Sequence, residues 1–390
     1  MTKNETNFIF DCRTFVLILF LLALAGNVLA TPRYAAKYKQ SCNLCHVNPS
    51  GGGMRTLYGA QFFSKMDVPW TPEEDFESLD DYNPKLSDNF QYGGDFRSIY
   101  WATDNWFYEA KYDQKINSFL TMQADLYFAI TPADKLLIYI EKGIGSAFEA
   151  YVLMRGLTET GVLKVGRFVP SYGWRFADHK SYVREFLGFT PYNTRRVQIS
   201  EDSGVEFGFY PMEWEFSTSI TNGSAVLAGA GGIDVINEGK AITVRLLKRF
   251  SLGEMNLTLG SSYRYAEFGR NPPFSRYAGG FWGLNFLQFT LVGETDWVIK
   301  ENPETKSLET QLVTTQVLNY QIRSGLNLFA GYDFWDPDID KKIEDSIATR
   351  YKLGLHFFPS SYFGLSPVIY LHDEFGLKFQ TGELMFHVWF

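Results

Sequence analysis

The chain has 390 residues, a formal net charge of -8 and 17% aromatic residues, with 35 Phe and 23 Tyr. A mean hydropathy of -0.16 is too polar for a bundle of membrane helices. The acidic balance argues against nucleic acid as a partner, and the aromatic load is high for a soluble domain.

Residues 1–30 form a separate unit. Lys3 and Arg13 precede an apolar run, FVLILFLLALAG at residues 15–26, and Val28 and Ala30 fit a small-residue cleavage pattern. This reads as a secretory signal peptide, since the run is short for a retained span of ~20 residues. Cleavage removes Cys12 and leaves Cys42 and Cys45 as the only cysteines.

Residues 31–89 come next. PRYAAKYKQSCNLCH, from Pro32, reads as one short helix with proline near its start. Helical spacing puts Tyr34, Tyr38, Cys42 and Cys45 on one face. Two cysteines in an exported chain suggest a disulfide, but His46 follows at once. C-x-x-C-H is the attachment sequence of a c-type haem: two thioether bonds fix the porphyrin and the histidine reaches the iron. Half a zinc site would need further Cys or His nearby, and none is present. A redox dithiol needs no histidine and sits in a βαβ context absent here. Met54, eight residues beyond His46 and after three glycines, is the first candidate for the sixth iron ligand. Met66, His179, His356, His372, His387 and water are the alternatives. Residues 67–89 are acidic and proline-containing, like a linker.

From Phe90 the texture changes. Segments of about ten residues alternate in polarity between turn residues, the pattern of an all-β transmembrane barrel. In KAITVRLLKRF, Ala241, Thr243, Arg245 and Leu247 interleave with Ile242, Val244, Leu246 and Lys248. About sixteen antiparallel strands fit between residues 90 and 390, with short turns alternating with mostly longer polar loops. Trp101, Trp106, Trp282, Trp297, Trp335 and Trp389 fall near strand ends, as in interfacial girdles. Residues 166–196 carry Arg167, Arg175, His179, Lys180, Arg184, Arg195 and Arg196. LKVGRFVPSYG within this region resembles the passage of anion-selective porins where a loop folds inward, although a solvated external loop fits equally. In ELMFHVWF, Leu384, Phe386, Val388 and Phe390 share one face; Met385, His387 and Trp389 share the other. This strand resembles the C-terminal strand of bacterial outer-membrane proteins.

An exported CNLCH ahead of a porin-like barrel resembles the fused monohaem cytochrome–porins of the outer membrane, best known from iron-oxidising bacteria. The resemblance implies a small N-terminal helical cytochrome c domain before the barrel. It also implies one covalent haem c on Cys42 and Cys45, with His46 as proximal ligand. The implied activity passes electrons between an extracellular donor or acceptor, such as ferrous iron, and a periplasmic cytochrome. Two rival readings remain: a diffusion porin for anions or small solutes with a structural or regulatory haem, and a barrel sheath around a separate multihaem cytochrome.

Overall fold

The computed structural model describes residues 32–66, 68–70, 83–104, 116–144, 148–176, 180–187, 201–223, 239–267, 274–302, 305–341 and 345–390. The leader, Trp106, His179, Arg195 and Arg196 lie outside the described residues, as does most of the expected linker. A short strand β1 (Lys85–Ser87) forms a hairpin with β2 (Phe90–Thr103).

Fifteen further strands follow: β3 (Ile116–Ala133), β4 (Leu136–Gly143), β5 (Phe148–Arg155), β6 (Gly161–Phe168), β7 (Asp202–Phe209), β8 (Trp214–Thr221), β9 (Ala241–Leu252), β10 (Met255–Glu267), β11 (Phe274–Phe286), β12 (Phe289–Glu301), β13 (Leu308–Arg323), β14 (Leu326–Asp336), β15 (Ala348–Ser360), β16 (Phe363–Glu374) and β17 (Leu377–Trp389). Each pairs antiparallel with the next, and β17 returns to β2. The sheet is therefore a closed barrel of sixteen strands, β2–β17. Closure leaves no edge with unpaired backbone groups, which a strand-built body in lipid requires. At the seam Gly94 and Phe390 exchange backbone hydrogen bonds of 3.0 Å in both directions.

The strand alternation sorts side chains between two environments. In β9, Ala241, Thr243, Arg245, Leu247 and Arg249 are buried toward the lumen, while Ile242 and Leu246 are exposed on the outside. In β17, Met385, His387 and Trp389 are buried and Val388 is exposed. Around the barrel the buried set includes Glu149, Lys164, Glu206, Arg264, Glu294 and Asp333. The exposed set includes Phe119, Leu126, Ile220, Leu259, Phe289, Leu318 and Leu353. This inverts a soluble domain: the outer face is apolar and the interior is polar, as in a membrane barrel. Among the described residues no helix is long and apolar enough to cross a membrane. The tryptophans divide. Trp214 and Trp297 are exposed outward, but Trp335 and Trp389 are buried inside. The girdle reading fails for those two because their positions share the lumen-facing register of their strands.

The lumen is occupied from two directions. Helix α1 (Arg33–Tyr38) packs near the short-turn ends of β10–β13: Asn256 Nδ2 donates to the Lys37 carbonyl at 2.8 Å, and Lys37 bonds Gln321. Lys39 pairs with Glu213 in the turn between β7 and β8. From the other side the segment between β6 and β7 folds inward. It contains a short helix, α3 (Tyr182–Glu185), while the N-terminal segment continues past α1 into a second short helix, α2 (Cys42–Cys45). Tyr172, Trp174, Tyr182, Val183, Phe186 and Leu187 are all buried. Tyr172 Oη donates to Asp296 at 2.7 Å, Trp174 N–H donates to Glu294 at 2.7 Å, and Arg184 lies 3.4 Å from Glu294. The described part of this loop is thus held against the barrel wall, not solvated outside.

Candidate cofactor-binding site

The cysteine motif lies in α2, which α1 does not reach. A single helix through residues 32–46 is replaced by two, because Lys39 takes a left-handed conformation (φ 54°). Its N–H caps the Ala35 carbonyl. Ser41 opens α2 in an extended conformation, and its hydroxyl donates to Glu215 of β8 at 2.6 Å instead of capping the helix. The break still leaves Tyr34, Tyr38 and Cys45 in one apolar cluster with Phe63 and Trp389. Tyr34 and Tyr38 stack with centroids 6.4 Å apart, and Phe63 meets both edge-on at 5.3 and 5.5 Å.

After His46 the chain turns back on itself. The Gly51 N–H donates to the Asn48 carbonyl at 2.9 Å, and the Val47 N–H donates to the Met54 carbonyl at 2.9 Å. His46 and Arg55 face each other as an antiparallel bridge. Gly51, Gly52 and Gly53 all have positive φ (88°, 74° and 60°), which L side chains rarely adopt. Space is also tight, so that a side chain here would have to shift its neighbours. A Cβ on Gly51 would sit 3.3 Å from Cys42 Cβ, and one on Gly52 would sit 2.5 Å from Arg175 Nε. Asn48 pins this loop to the wall: Lys164 Nζ donates to its Oδ1 at 3.1 Å while also pairing with Glu206 at 2.7 Å.

These segments and the wall enclose a cavity with ≈ 1480 Å³ of empty space, open mouth included. Cys42, Cys45 and His46 all line it. Both cysteines are free thiols and half-buried. Burial, helped by Glu215, pushes the Cys42 thiol up to about 11, so it is protonated at neutral pH. Burial also holds His46 down to about 4, with the charges of Arg55 and Arg175 acting in the same direction. A neutral imidazole keeps a lone pair for a metal. Its Nδ1 is buried with no hydrogen-bond partner, although the Gly52 and Gly53 carbonyls lie close enough to raise its basicity. Two accessible thiols, a neutral imidazole and an aromatic wall on one cavity fit a covalently attached haem.

The structure does not bring Met54 to this cavity. Its side chain is buried in an apolar cluster with Val47, Tyr127, Tyr139, Tyr151 and Phe168; Tyr127 lines the cavity, but Met54 is not among the cavity-lining residues. The glycine reversal sends Arg55 to the cavity and Met54 to the wall. Met66 closes a short helix (Ser64–Met66). His356 bonds Ser366 and stacks on Phe329, His372 bonds Glu374, and His387 bonds Asp95. None of these three lines the cavity. Met54→Ala should therefore cost about 2–5 kcal/mol of local stability as a core truncation and leave the optical spectrum of the bound protein unchanged. Loss of a near-infrared sulfur-to-iron band, or a fall in midpoint potential relative to the parent protein, would show that Met54 is a ligand.

Sequence reasoning missed most of the cavity's charged wall. Arg55, Arg97, Arg175 and Arg245 line it, with Asp95 and Glu141. Arg175 belongs to the basic loop that stood out in the sequence. Arg97 and Arg245 occupy lumen-facing positions of β2 and β9, so strand alternation carried the available signal. A second, smaller cavity adjoins and shares Ser50, Arg175 and Arg245.

No protein-family model and no curated protein matches the chain. Solved structures do match in shape. OprB of Pseudomonas putida aligns over 83% of this chain and 99% of its own length, with a TM-score of 0.55 at 8% identity. An anion-selective porin from Comamonas acidovorans covers 77% of this chain and 99% of its own, with a TM-score of 0.56 at 10% identity. OmpT of Vibrio cholerae covers 79% of this chain and 100% of its own, with a TM-score of 0.53 at 10% identity. At such identities the likeness is one of fold: the chain is a closed, sixteen-stranded, porin-like β-barrel.

Proposed function

We propose that the protein is an outer-membrane electron conduit. In this reading one c-type haem is attached through Cys42 and Cys45, with His46 as its proximal ligand. A segment ahead of residue 31 serves as the export signal. The observation that carries the reading is the convergence of both thiols and the imidazole on one cavity inside the barrel, walled jointly by the N-terminal segment and the strands. The apolar outer face supports a bilayer as the barrel's surroundings, and the porin-like fold supports the outer membrane.

A bound haem supplies one-electron exchange. The chain's own residues do the rest. Cys42 and Cys45 present thiols to the cavity, and the bend at Lys39 lets α2 face it. His46 stays neutral at its ring nitrogens. Tyr34, Phe63 and Trp389 give the cavity an aromatic wall that limits water. The inward loop between β6 and β7 and the N-terminal segment fill space through which solutes would otherwise pass. That filling favours electron transfer over diffusion. A periplasmic cytochrome on one side and an extracellular donor or acceptor, such as ferrous iron, on the other are the partners in this reading.

The test is reconstitution into liposomes that enclose a redox dye, with an electron donor outside. Reduction of the dye without leakage of a small anionic solute supports the conduit. Leakage without dye reduction overturns it in favour of a diffusion porin.

A further inference from the structure

The four arginines of the cavity are not equivalent, and their differences identify which of them are available to a ligand. Arg97 is committed: its Nε lies 3.1 Å from Asp95 and 3.3 Å from His387 Nε2. Arg245 is also committed. Its Nη1 donates to Glu215 at 2.9 Å and its Nε donates to the Gly173 carbonyl at 2.9 Å.

Arg55 makes no ion pair or side-chain hydrogen bond among the described residues; Asp95 acts on its charge from a distance but is itself paired with Arg97 and His387. It is half-buried on the cavity and lies over the Trp389 ring, 5.0 Å from the ring centroid. Arg175 is held by Glu149 through one terminal nitrogen at 2.5 Å, but its other, Nη1, is buried without a partner. Arg55 enters from the glycine loop and Arg175 from the inward loop, so two independent segments each bring unused guanidinium donors to the same cavity. A guanidinium withdrawn from water without an anion is costly, and its planar fork matches a carboxylate.

We infer that Arg55 and Arg175 form a carboxylate clamp for the two propionates of the haem bound at Cys42, Cys45 and His46. This rests on the function proposed above and names the residues that would orient the cofactor within the cavity. The glycines serve the clamp directly. Gly52 lies against the Arg175 side chain, where any Cβ would displace it, and the reversal at Gly51–Gly53 turns residue 55 toward the cavity. Because saturated carbons separate each propionate from the porphyrin π system, its charge acts on the iron through space, and the clamp's main measurable consequence is electrostatic. Positive charge beside the propionates disfavours the ferric state and raises the reduction potential.

The experiment compares Arg55→Gln and Arg175→Gln in the full-length barrel with Arg55→Lys and with Lys378→Gln, an exposed position. Haem content by pyridine haemochrome and barrel assembly by heat-dependent gel mobility are recorded beside the midpoint potential. Each glutamine variant should keep covalent haem and show a fall in potential equal to a tenfold or larger change in the reduction equilibrium, 59 mV for one electron. Arg55→Lys should recover most of that shift, and Lys378→Gln should show none. If one glutamine variant fails to assemble, the other carries the test, since the two residues come from different segments. Potentials in the assembled glutamine variants indistinguishable from that of Lys378→Gln would overturn the clamp while leaving the conduit standing. A parent protein without haem would overturn both.

Discussion

Replacing Cys42 and Cys45 together with alanine should reduce dye reduction in liposomes to the level of empty vesicles, while the barrel still assembles and still retains solute. The strand pairing from β2 round to β17 does not involve the cysteines. The N-terminal segment also has anchors of its own: Lys37 to Gln321, Lys39 to Glu213, Ser41 to Glu215 and Asn48 to Lys164. Losing two half-buried thiols therefore removes little packing, but it removes both groups proposed to attach the haem. Cys42→Ala alone should leave a single thioether at Cys45 and a weaker haem signal. Dye reduction undiminished in the double variant would mean that electrons cross by a route independent of this motif.

Gly59→Ala should have the second-largest effect, confined to the N-terminal segment that carries the cysteines. Gly59 sits in a π-helical turn, Tyr58–Phe63, stacked on α2. A Cβ there would overlap the Cys45 carbonyl oxygen. That oxygen is fixed, because it accepts the Thr56 N–H at 3.0 Å, and Thr56 Oγ1 in turn donates to the Leu44 carbonyl at 2.6 Å. Gly59 itself is held by its N–H to Thr56 Oγ1 at 3.1 Å, and its carbonyl accepts Ser64 Oγ at 2.6 Å. Neither side has room to yield. Overpacking of this kind costs about 1–3 kcal/mol, and each 1.4 kcal/mol is roughly a tenfold loss of the correctly folded segment. Haem content per assembled barrel should fall accordingly. Full haem incorporation in Gly59→Ala would show that α2 and the π-helical turn separate more easily than their contacts indicate.

The barrel was legible because its information is local. Period-two alternation and turn residues mark each strand, and the change of texture at Phe90 coincides with the first residue of β2. The face assignment of Met385, His387 and Trp389 also holds, since one residue of slip would have put all three in lipid. Features set by distant residues were not legible in this way. Met54 follows the glycines at a distance suited to iron, but its position is decided by Tyr127, Tyr139 and Tyr151 on three wall strands. The helix break at Lys39 is a non-glycine residue in a left-handed conformation, stabilised by its pairing with Glu213 over a hundred residues away. Ser41, a good residue to begin a helix, was the local hint that α2 starts afresh. Trp335 and Trp389 looked like girdle residues by proximity to strand ends, whereas their register placed them inside. The unpaired guanidinium of Arg55 depends on which carboxylates the fold has already assigned to other partners.

The most direct test of the central claim is the haem content of the mature protein, purified from a host able to attach c-type haem and run on a denaturing gel stained for haem peroxidase activity. The expected result is a haem band that survives denaturation, migrates with the barrel polypeptide and disappears in the variant lacking both cysteines. A polypeptide from the same host with two titratable free thiols and no haem band would contradict it.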